Sequence, residues 1–359
     1  MRLLRLGHAL PLMFAGSVPL GHALGASALA LPALLLTGFV AADCAITRTL
    51  DPIADAKTAL TYRLVPWLAI GLQLGVIVWG AILASRASIG EIVALALAVG
   101  TMSGIFGLIA AHEMAHSRTR RERALGLALL TALHYRHFRI AHLCGHHRFA
   151  ATERDPTTAR LGESVYRFVV RSIAGQLALA YRFERRRLVG RARRRLANRV
   201  IQDGMIAAAI VLALTVALGW RALLFQGLQS ALAVLLLELF NYIAHYGLMR
   251  ERLADGTLEP MTAAHAWNSR RLLNNLALFN MGHHSDHHRA PAAAYQGLCA
   301  IADGPELPAG YAGTALLALV PPLWRRVMDP RITAWRRYRT TAAARMRPLG
   351  ACSITATRS

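Results

Sequence analysis

Four histidines surround one acid near the carboxyl end of the chain. The stretch NLALFNMGHHSDHHRAPAAAY, residues 275–295, contains His283, His284, His287 and His288 together with Asp286. Imidazole is the side chain that most often binds a transition metal. Because His284, His287 and His288 follow one another closely, a single short helix or turn could direct them at one point. The spacing therefore predicts metal ligands rather than a surface tag.

Three other histidine groups could complete that ligand set. They are His112 and His116 in HEMAH, the trio His142, His146 and His147 in HLCGHH, and His245 in NYIAHYG. Together with His284, His287 and His288 they make nine regularly spaced histidines. A single zinc ion takes about three or four protein ligands. The count therefore predicts two metal ions.

The motif HEMAH admits a different chemistry when it is considered alone. His112 and His116 are four residues apart, so on a helix they would share one face. The motif matches the HExxH pattern of zinc proteases, in which Glu113 would be the general base. Zinc hydrolysis, other metal chemistry and a buried structural pair all stay open at this point. The remaining histidine groups favour a larger metal site, because a zinc protease has no use for six further ligands.

Composition and hydropathy indicate an integral membrane protein. The chain has 359 residues, 55% of them apolar, and its mean hydropathy of +0.37 is high for a soluble domain. Six apolar segments approach the roughly 20 residues that a helix needs to cross a bilayer. They lie at about 8–24, 26–44, 63–84, 89–111, 203–219 and 222–244. We predict an all-α, polytopic fold with six transmembrane helices and a cytoplasmic, histidine-rich catalytic cap.

The arginines predict which side of the membrane each connection faces. The formal charge is +22 and nearly all of it is arginine, concentrated at the N-terminus, in the link between spans two and three, in residues 118–199 and in the tail. The opposite links hold little beyond Arg86 and Arg221. The positive-inside rule then places both termini and every histidine group on the cytoplasmic side of a bacterial-type inner membrane. We divide the single domain 1–359 into four spans (1–116), a histidine-bearing loop (117–202), two spans (203–244) and a cap with its tail (245–359).

A basic run in the long loop suggests two kinds of partner. Residues 184–199 read ERRRLVGRARRRLANR. We predict that this run lies against anionic lipid headgroups, and it could also receive a small acidic redox protein. No nucleic-acid-binding module is recognisable, so we expect no nucleic acid partner. The chain has no CxxC pair, so an electron donor of the rubredoxin type would be a separate protein.

The three histidine boxes, HxxxH, HxxxHH and HxxHH, resemble those of the membrane di-iron desaturases and hydroxylases. Within that superfamily the chain resembles the alkane 1-monooxygenases, and xylene monooxygenases are similar as well. The matching stretches include HEMAHS, RIAHLCGHHRFAATERDPTTARLGESVYRF, NYIAHYGLMRER and HSDHHRAPAAAYQGL. The likeness covers about residues 89–335, whereas the first two spans match only in hydropathy.

The resemblance implies a reaction and its cofactors. Two iron ions would be bound by His112, His116, His142, His146, His147, His245, His284, His287 and His288. With O2 and electrons from rubredoxin and its reductase, the enzyme would hydroxylate the terminal methyl group of an n-alkane or a similar apolar substrate from the membrane. Three alternatives stay open: a fatty-acyl desaturase or lipid hydroxylase of the same superfamily, an intramembrane zinc protease, and a metal sensor without enzymatic activity.

The chain departs from the family at two supporting positions. An acid usually precedes the ligands that correspond to His142 and His245, and here those positions are Ala141 and Ala244. Glu113 and Asp286 are retained as candidate catalytic acids. Glu238 lies seven residues before His245, hence on the same helical face, and we predict that it partly replaces the missing acids. A hydrogen bond between helices is an equally open explanation for this buried acid.

Two further expectations concern the surroundings of the metals. The other histidines in this part of the chain are expected to support the ligands rather than bind metal. They are His134, His137, His265 and His283. The small residues Gly104, Gly107, Ala110 and Ala111 would let a slim substrate lie between helices, although tight helix packing is the better explanation for any one of them.

Overall fold

The computed structural model describes residues 7–25, 29–46, 49, 60–189 and 195–342. These residues form helices and connecting turns, with three isolated β-bridges and no β-strand. The all-α prediction is therefore confirmed for the part of the chain that is described.

The helices fall into an apolar bundle and a polar cap. The bundle contains α1 (Leu10–Ala23), α2 (Ala30–Ala45), α3 (Leu60–Ala84), α4 (Ile89–His116), α8 (199–218) and α9 (220–245). The cap contains α5 (Arg120–Ala132), α6 (138–149), α7 (Val165–Arg187), α10 (Leu272–Ala277), α11 (His284–Arg289), α12 (Tyr311–Ala318) and α13 (Pro321–Ala342).

Apolar helices occur at each of the six predicted spans. Among the described residues, three helices are long and apolar enough to cross a membrane, namely Tyr62–Ala84, Ile89–His116 and Arg199–His245. The last of these is interrupted at Gly219, where φ is 77° and ψ is −179°. This backbone conformation is essentially confined to glycine, so α8 and α9 are two helices. The six-span count stays a prediction, because α1 and α2 are shorter.

Helices α4 and α9 approach each other closely and bring the two longest histidine-bearing elements together. A side chain at Gly104 would place its Cβ 2.9 Å from the Ala233 carbonyl oxygen, so only glycine permits this separation. Helix α4 begins with a capping box between Ser88 and Glu91 and contains a π-helical turn at Ser103–Gly107. Because α4 and α9 pack closely, His116 at the end of α4 and His245 at the end of α9 reach the same side of the bundle.

A buried polar contact fixes α3 against α4 at the π turn. The amide of Gln73 donates to Ser103 Oγ at 2.7 Å, and Ser103 Oγ donates to Gln229 Oε1 at 3.5 Å. All three side chains are buried. Hydrogen bonds inside an apolar bundle favour one helix register over others, so this contact sets the position of the α4 segment that carries the histidines.

The basic run, residues 184–199, joins the end of α7 to the start of α8. Glu184, near the end of α7, is paired with Arg187 at 2.7 Å and accepts the backbone N–H of Arg199 at 3.0 Å. These bonds hold the end of α7 against the start of α8. Residues 190–194 of the run lie outside the described residues, and its contact with lipid stays a prediction.

Candidate metal centre

The nine predicted histidines lie in two groups. The five-histidine cluster consists of His112, His116, His142, His147 and His287, and the four-histidine cluster consists of His146, His245, His284 and His288. Within each group the candidate ligand atoms all lie within 4.8 Å of one another. The structure therefore assembles two candidate metal positions from residues that are far apart in the sequence.

Local helix geometry decides which cluster each histidine joins. His284 and His288 are four residues apart on α11 and face the four-histidine cluster, while His287 projects from the neighbouring face towards the other. His142 and His146 lie in a π-helical turn, Ala141–His146, within α6. The wider π turn changes the direction of the side chains, and His142 and His146 enter different clusters.

The ring nitrogens converge more tightly than hydrogen bonding alone explains. In the five-histidine cluster, His142 Nε2 lies 2.8 Å from His112 Nε2 and 2.9 Å from both His116 Nε2 and His147 Nε2. One N–H can occupy only one of these contacts, so the other lone pairs would repel each other. A cation at the centre removes this repulsion.

The four-histidine cluster has the same geometry. The Nε2 atoms of His245, His284 and His288 are separated by 3.1 to 3.2 Å. Two nitrogens at about 2.1 Å from one metal ion and at right angles to each other are about 3.0 Å apart. The residues present thus fit a transition metal at each cluster.

Burial favours the neutral, metal-binding form of three cluster imidazoles in the cap, those of His142, His284 and His287. Outside the apolar bundle, burial lowers the pKa of His142, His284 and His287 well below the ordinary value of 6.5, and neighbouring imidazoles lower it further. A neutral imidazole offers a lone pair without first losing a proton.

Asp155 is a supporting residue that the sequence analysis missed. Its Oδ2 lies 2.9 Å from His146 Nδ1, and Thr157 Oγ1 lies 2.7 Å from the same nitrogen. Burial opposes ionisation of Asp155, but His146 and hydrogen bonds from Thr157 and Thr158 lower its pKa overall. A carboxylate bound to Nδ1 directs Nε2 towards the metal and makes it more basic. The sequence signal was the acid in TERDP, nine residues after His146.

His245 is oriented by a backbone group instead of a carboxylate. Its Nδ1 lies 2.8 Å from the His265 carbonyl oxygen, which can only accept a hydrogen bond. The proton is therefore on Nδ1, and Nε2 is left as the donor atom that faces the cluster.

The three predicted acids have different surroundings. Glu113 lies beside a cavity, and its Oε1 accepts the Tyr295 N–H at 3.1 Å. Asp286 accepts hydrogen bonds from Arg289 Nε at 2.6 Å and from the Cys299 N–H at 2.9 Å, so it ties α11 to the following loop.

Glu238 is hydrogen-bonded to neighbouring elements, and its role in place of the missing acids stays a prediction. Its Oε1 accepts hydrogen bonds from Tyr135 at 3.0 Å, Gln176 at 2.8 Å and Asn241 at 3.2 Å. Among the described residues, none of its hydrogen bonds goes to a histidine of either cluster. The side chain is fully buried and faces α7 and the segment that precedes α6.

The supporting histidines lie outside both clusters. His134 is 3.3 Å from Gln226 Nε2, His137 packs edge-on against Tyr135, and His265 Nε2 is 2.7 Å from Glu259 Oε1. His283 is buried, and burial lowers its pKa to about 4.

Two cavities with different linings lie close to the clusters. An apolar cavity of about 190 Å³ lies between α2, α4, α9 and α12, and Gly104, Ile109, Phe240 and Ile243 are among its lining residues. The ring of Phe240 packs edge-on against His284, with 5.8 Å between ring centroids. Of the four small residues singled out in the sequence, Gly104 alone lines this cavity among the described residues.

The second cavity is larger, at about 450 Å³, and is called the polar cavity here because charged side chains form part of its mixed lining. Glu113, His116 and Glu122 line it together with Arg63 and Tyr295. His116 belongs to the five-histidine cluster and is only partly buried. Water and ions can therefore approach that cluster from a different direction than an apolar molecule.

Comparison with known proteins agrees with this architecture. A family profile described as "Fatty acid desaturase" matches residues 91–345. Alkane 1-monooxygenase 2 of Pseudomonas aeruginosa is 37% identical over 307 residues, which cover 84% of this chain and 81% of the relative. Alkane 1-monooxygenase of Pseudomonas putida is 37% identical over 76% of this chain and 69% of its own.

A relative with a different substrate is similar over as much of the chain. The xylene/toluene monooxygenase hydroxylase component of Pseudomonas putida is 29% identical over 86% of this chain and 83% of its own.

These findings place the protein first in a broad class and then in a narrower group. The histidine clusters could hold metal ions, and the apolar helices suggest a membrane protein. The chain belongs to the fatty acid desaturase family and, within it, to the alkane 1-monooxygenases. It is an oxidoreductase, which confirms the resemblance inferred from the histidine boxes and leaves no support for a zinc protease built on HEMAH.

Proposed function

We propose that this protein hydroxylates the terminal methyl group of n-alkanes, or of similar apolar substrates, to primary alcohols. The overall reaction consumes the substrate, one O2, two electrons and two protons, and yields the alcohol and one water. The observation that carries the proposal is the apolar cavity, which reaches the four-histidine cluster through Phe240, whose ring packs against His284.

The nine histidines would hold two iron ions, which supply O2 activation when they are bound. Side chains alone provide no oxidant for an unactivated C–H bond. The protein residues hold the imidazoles in fixed directions: Asp155 acts on His146, and the His265 carbonyl acts on His245. This support keeps the donor atoms in place before metal arrives.

The apolar cavity would bind the substrate and exclude water. Phe240, which lines the cavity, packs edge-on against His284, so a substrate in the cavity would lie next to the four-histidine cluster. An alkane that enters from the lipid between α2, α4 and α12 would reach the metals without crossing an aqueous phase.

The polar cavity would admit the hydrophilic reactants. Glu113 lines it and is adjacent in sequence to His112. We propose that Glu113 handles protons at this cavity, whereas Asp286 positions α11 through Arg289 and the Cys299 N–H. Separate routes for alkane and water limit side reactions at the metals.

The electron donor would dock on the basic surface next to α6. Phe149, two residues after His147, forms a hollow with the exposed Arg154, Arg182 and Arg186. The guanidinium of Arg154 lies 4.2 Å from the centre of the Phe149 ring. A small acidic redox protein such as rubredoxin would be attracted there electrostatically, and anionic lipids would bind the neighbouring arginines.

The proposed topology has six spans with both termini in the cytoplasm. The ends of α4 and α9 that carry His116 and His245 lie on one side of the bundle, together with the cap. Placing that side in the cytoplasm agrees with the positive-inside rule, because most arginines then face the cytoplasm. It also gives the electron donor access to the clusters.

The reaction is tested by product analysis in membranes that contain the protein. With octane, ¹⁸O2 and a rubredoxin system, we expect 1-octanol labelled with ¹⁸O, and we expect His142→Ala to abolish it. A fatty-acyl desaturase would instead give an alkene from an acyl substrate, and a lipid hydroxylase would oxidise only the lipid. The absence of oxygenated product from a fully metallated chain would contradict the proposal.

A further inference from the structure

The C-terminal helix α13 fixes the residues that directly follow His245. The hydroxyl of Tyr246 donates to Asp329 Oδ1 at 2.8 Å, and Arg336 Nη2 donates to the Gly247 carbonyl oxygen at 3.0 Å. Gly247 has φ of 69°, and a side chain at that position would collide with Ile332 of α13. The close approach therefore depends on glycine.

The same helix also fixes the loop that supplies the hydrogen-bond acceptor of His245. His265, whose carbonyl oxygen contacts His245 Nδ1, is bound through its own Nε2 to Glu259 Oε1 at 2.7 Å. Arg339 of α13 donates to both oxygens of Glu259, at 2.9 and 2.8 Å. Trp335 Nε1 donates to the Ala264 carbonyl oxygen at 3.2 Å.

The pair between Glu259 and Arg339 is shielded from water. Their side chains are 15% and 17% exposed. Burial alone would raise the pKa of Glu259, but hydrogen bonds from His265, the Glu251 N–H and Arg339 lower it to about 2. Glu259 is therefore an anion with fixed partners on both sides, and a partly buried pair of this kind restricts motion more than a surface ion pair does.

The four-histidine cluster has few other outer contacts. Among the described residues, Nδ1 of His284 and Nδ1 of His288 have no hydrogen-bond partner. The other two histidines of this cluster have hydrogen-bond partners at Nδ1: Asp155 for His146, and the His265 carbonyl oxygen for His245. Residue 244 is alanine and offers no side-chain acceptor, so the orientation of His245 depends on the position of the loop.

We propose that Glu259 and Arg339 are positioning residues of the four-histidine cluster: they hold the His265 carbonyl where it orients His245. The inference rests on the proposed metal centre and adds a role for the C-terminal helix. Removing an outer hydrogen-bond partner typically weakens metal affinity by about 10- to 100-fold. The five-histidine cluster has no contact with this network among the described residues, so its affinity should not change.

The test compares metal retention in Arg339→Ala and Glu259→Gln with the intact chain during titration with a chelator. We expect the variants to release one of two metal ions at about 10- to 100-fold lower chelator concentration and to keep the other. Arg339→Lys should restore part of the retention. Arg331→Ala is the control on the same helix, because Arg331 is exposed and its described hydrogen bond goes to the Val327 carbonyl within α13.

A second measurement uses the metal-free protein. Amide hydrogen exchange in residues 259–267 should be faster in Arg339→Ala than in the intact chain, and Arg331→Ala should leave it unchanged.

The outcomes separate this inference from the proposed function. An intact chain that binds fewer than two metals contradicts the proposed metal centre. In that case amide hydrogen exchange in residues 259–267 still tests whether α13 holds this loop. Two metals in the intact chain, with unchanged retention in Arg339→Ala, would overturn the positioning role. Simultaneous loss of both metals would also overturn it, because that result indicates general destabilisation.

Discussion

His146 and His147 are neighbours in the sequence but contribute to different clusters. His147 Nε2 lies 2.9 Å from His142 Nε2, while His146 is held by Asp155 and faces His245 and His288. Spacing alone gave the nine residues but not their division, because the direction of each imidazole depends on the π turn in α6. It also missed Asp155. The role proposed for Glu238 stays a prediction, because its described hydrogen bonds go to Tyr135, Gln176 and Asn241.

Asp155 should determine metal affinity at the four-histidine cluster. Asp155→Asn removes the carboxylate charge next to His146 Nδ1 and leaves a side chain of similar shape. We therefore expect metal affinity to fall by about 10- to 100-fold at one of two sites. Competition with a chelator measures this change. Asp203→Asn is the control, because Asp203 pairs with Arg136 at 2.6 Å and with no histidine in the described contacts. Equal effects of the two substitutions would refute the orienting role.

Glu122 should make the stability of the cap depend on pH. Burial opposes its ionisation, but hydrogen bonds from Ser117, Arg63 and Thr119 lower its pKa to about 2 from an ordinary value of 4.5. A carboxyl group with a lowered pKa in the folded state stabilises the fold above the unfolded-state pKa, and this contribution disappears as the pH falls through the folded-state value.

Glu122→Gln should therefore melt at a lower temperature than the parent chain at pH 7. The difference should narrow between pH 4.5 and about 2. Melting temperatures measured over this range test the expectation, with the exposed Glu251→Gln as the control. A difference that stays constant at all pH values would show that the charge of Glu122 does not stabilise the cap.

At the scale of the elements, Gly219 separates two helices that length alone would join. Hydropathy correctly predicted a break near this position, since the two apolar segments end at 219 and begin at 222. The π turns at Ser103–Gly107 and Ala141–His146 were not predictable, because no local residue pattern distinguishes them from ordinary helix. Packing against neighbouring elements and the positions of the histidines determine them.

Gly219→Ala should destabilise the bundle. Alanine does not readily adopt φ of 77° with ψ of −179°, and the strain is about 1–3 kcal/mol. Gly227→Ala is a matched control within α9, because a Cβ there also has nothing within 4 Å but the backbone is helical. Thermal unfolding of both variants measures whether Gly219→Ala is the less stable of the two. If Gly219→Ala is as stable as Gly227→Ala, the break does not require glycine.

The apolar cavity should set the length of the substrate. Ala315 of α12 lines it, so Ala315→Phe should reduce turnover of long alkanes by about tenfold or more while shorter alkanes are less affected. Ala334→Phe, on the exposed face of α13, is the control. Gas chromatography of the alcohols gives the chain-length profile, and metal content should be unchanged. An unaltered profile would place the substrate elsewhere.

At the scale of the whole molecule, the bundle and the cap have separate tasks. The bundle provides an apolar cavity and the ends of α4 and α9, and the cap closes over them with the remaining histidines. Composition and arginine distribution were enough to predict a helical membrane protein with its histidines on one side. The support of His245 by α13 could not be predicted, because Glu259, His265 and Arg339 are separated by up to 80 residues.

The metal content of the purified chain tests the central claim most directly. Protein produced with adequate iron should contain about two iron ions per chain, and His142→Ala should lower that number, because its Nε2 lies within 2.9 Å of three other imidazole nitrogens. Elemental analysis that finds a single zinc ion per chain, or iron content that is indifferent to His142→Ala, would contradict a two-metal oxygenase.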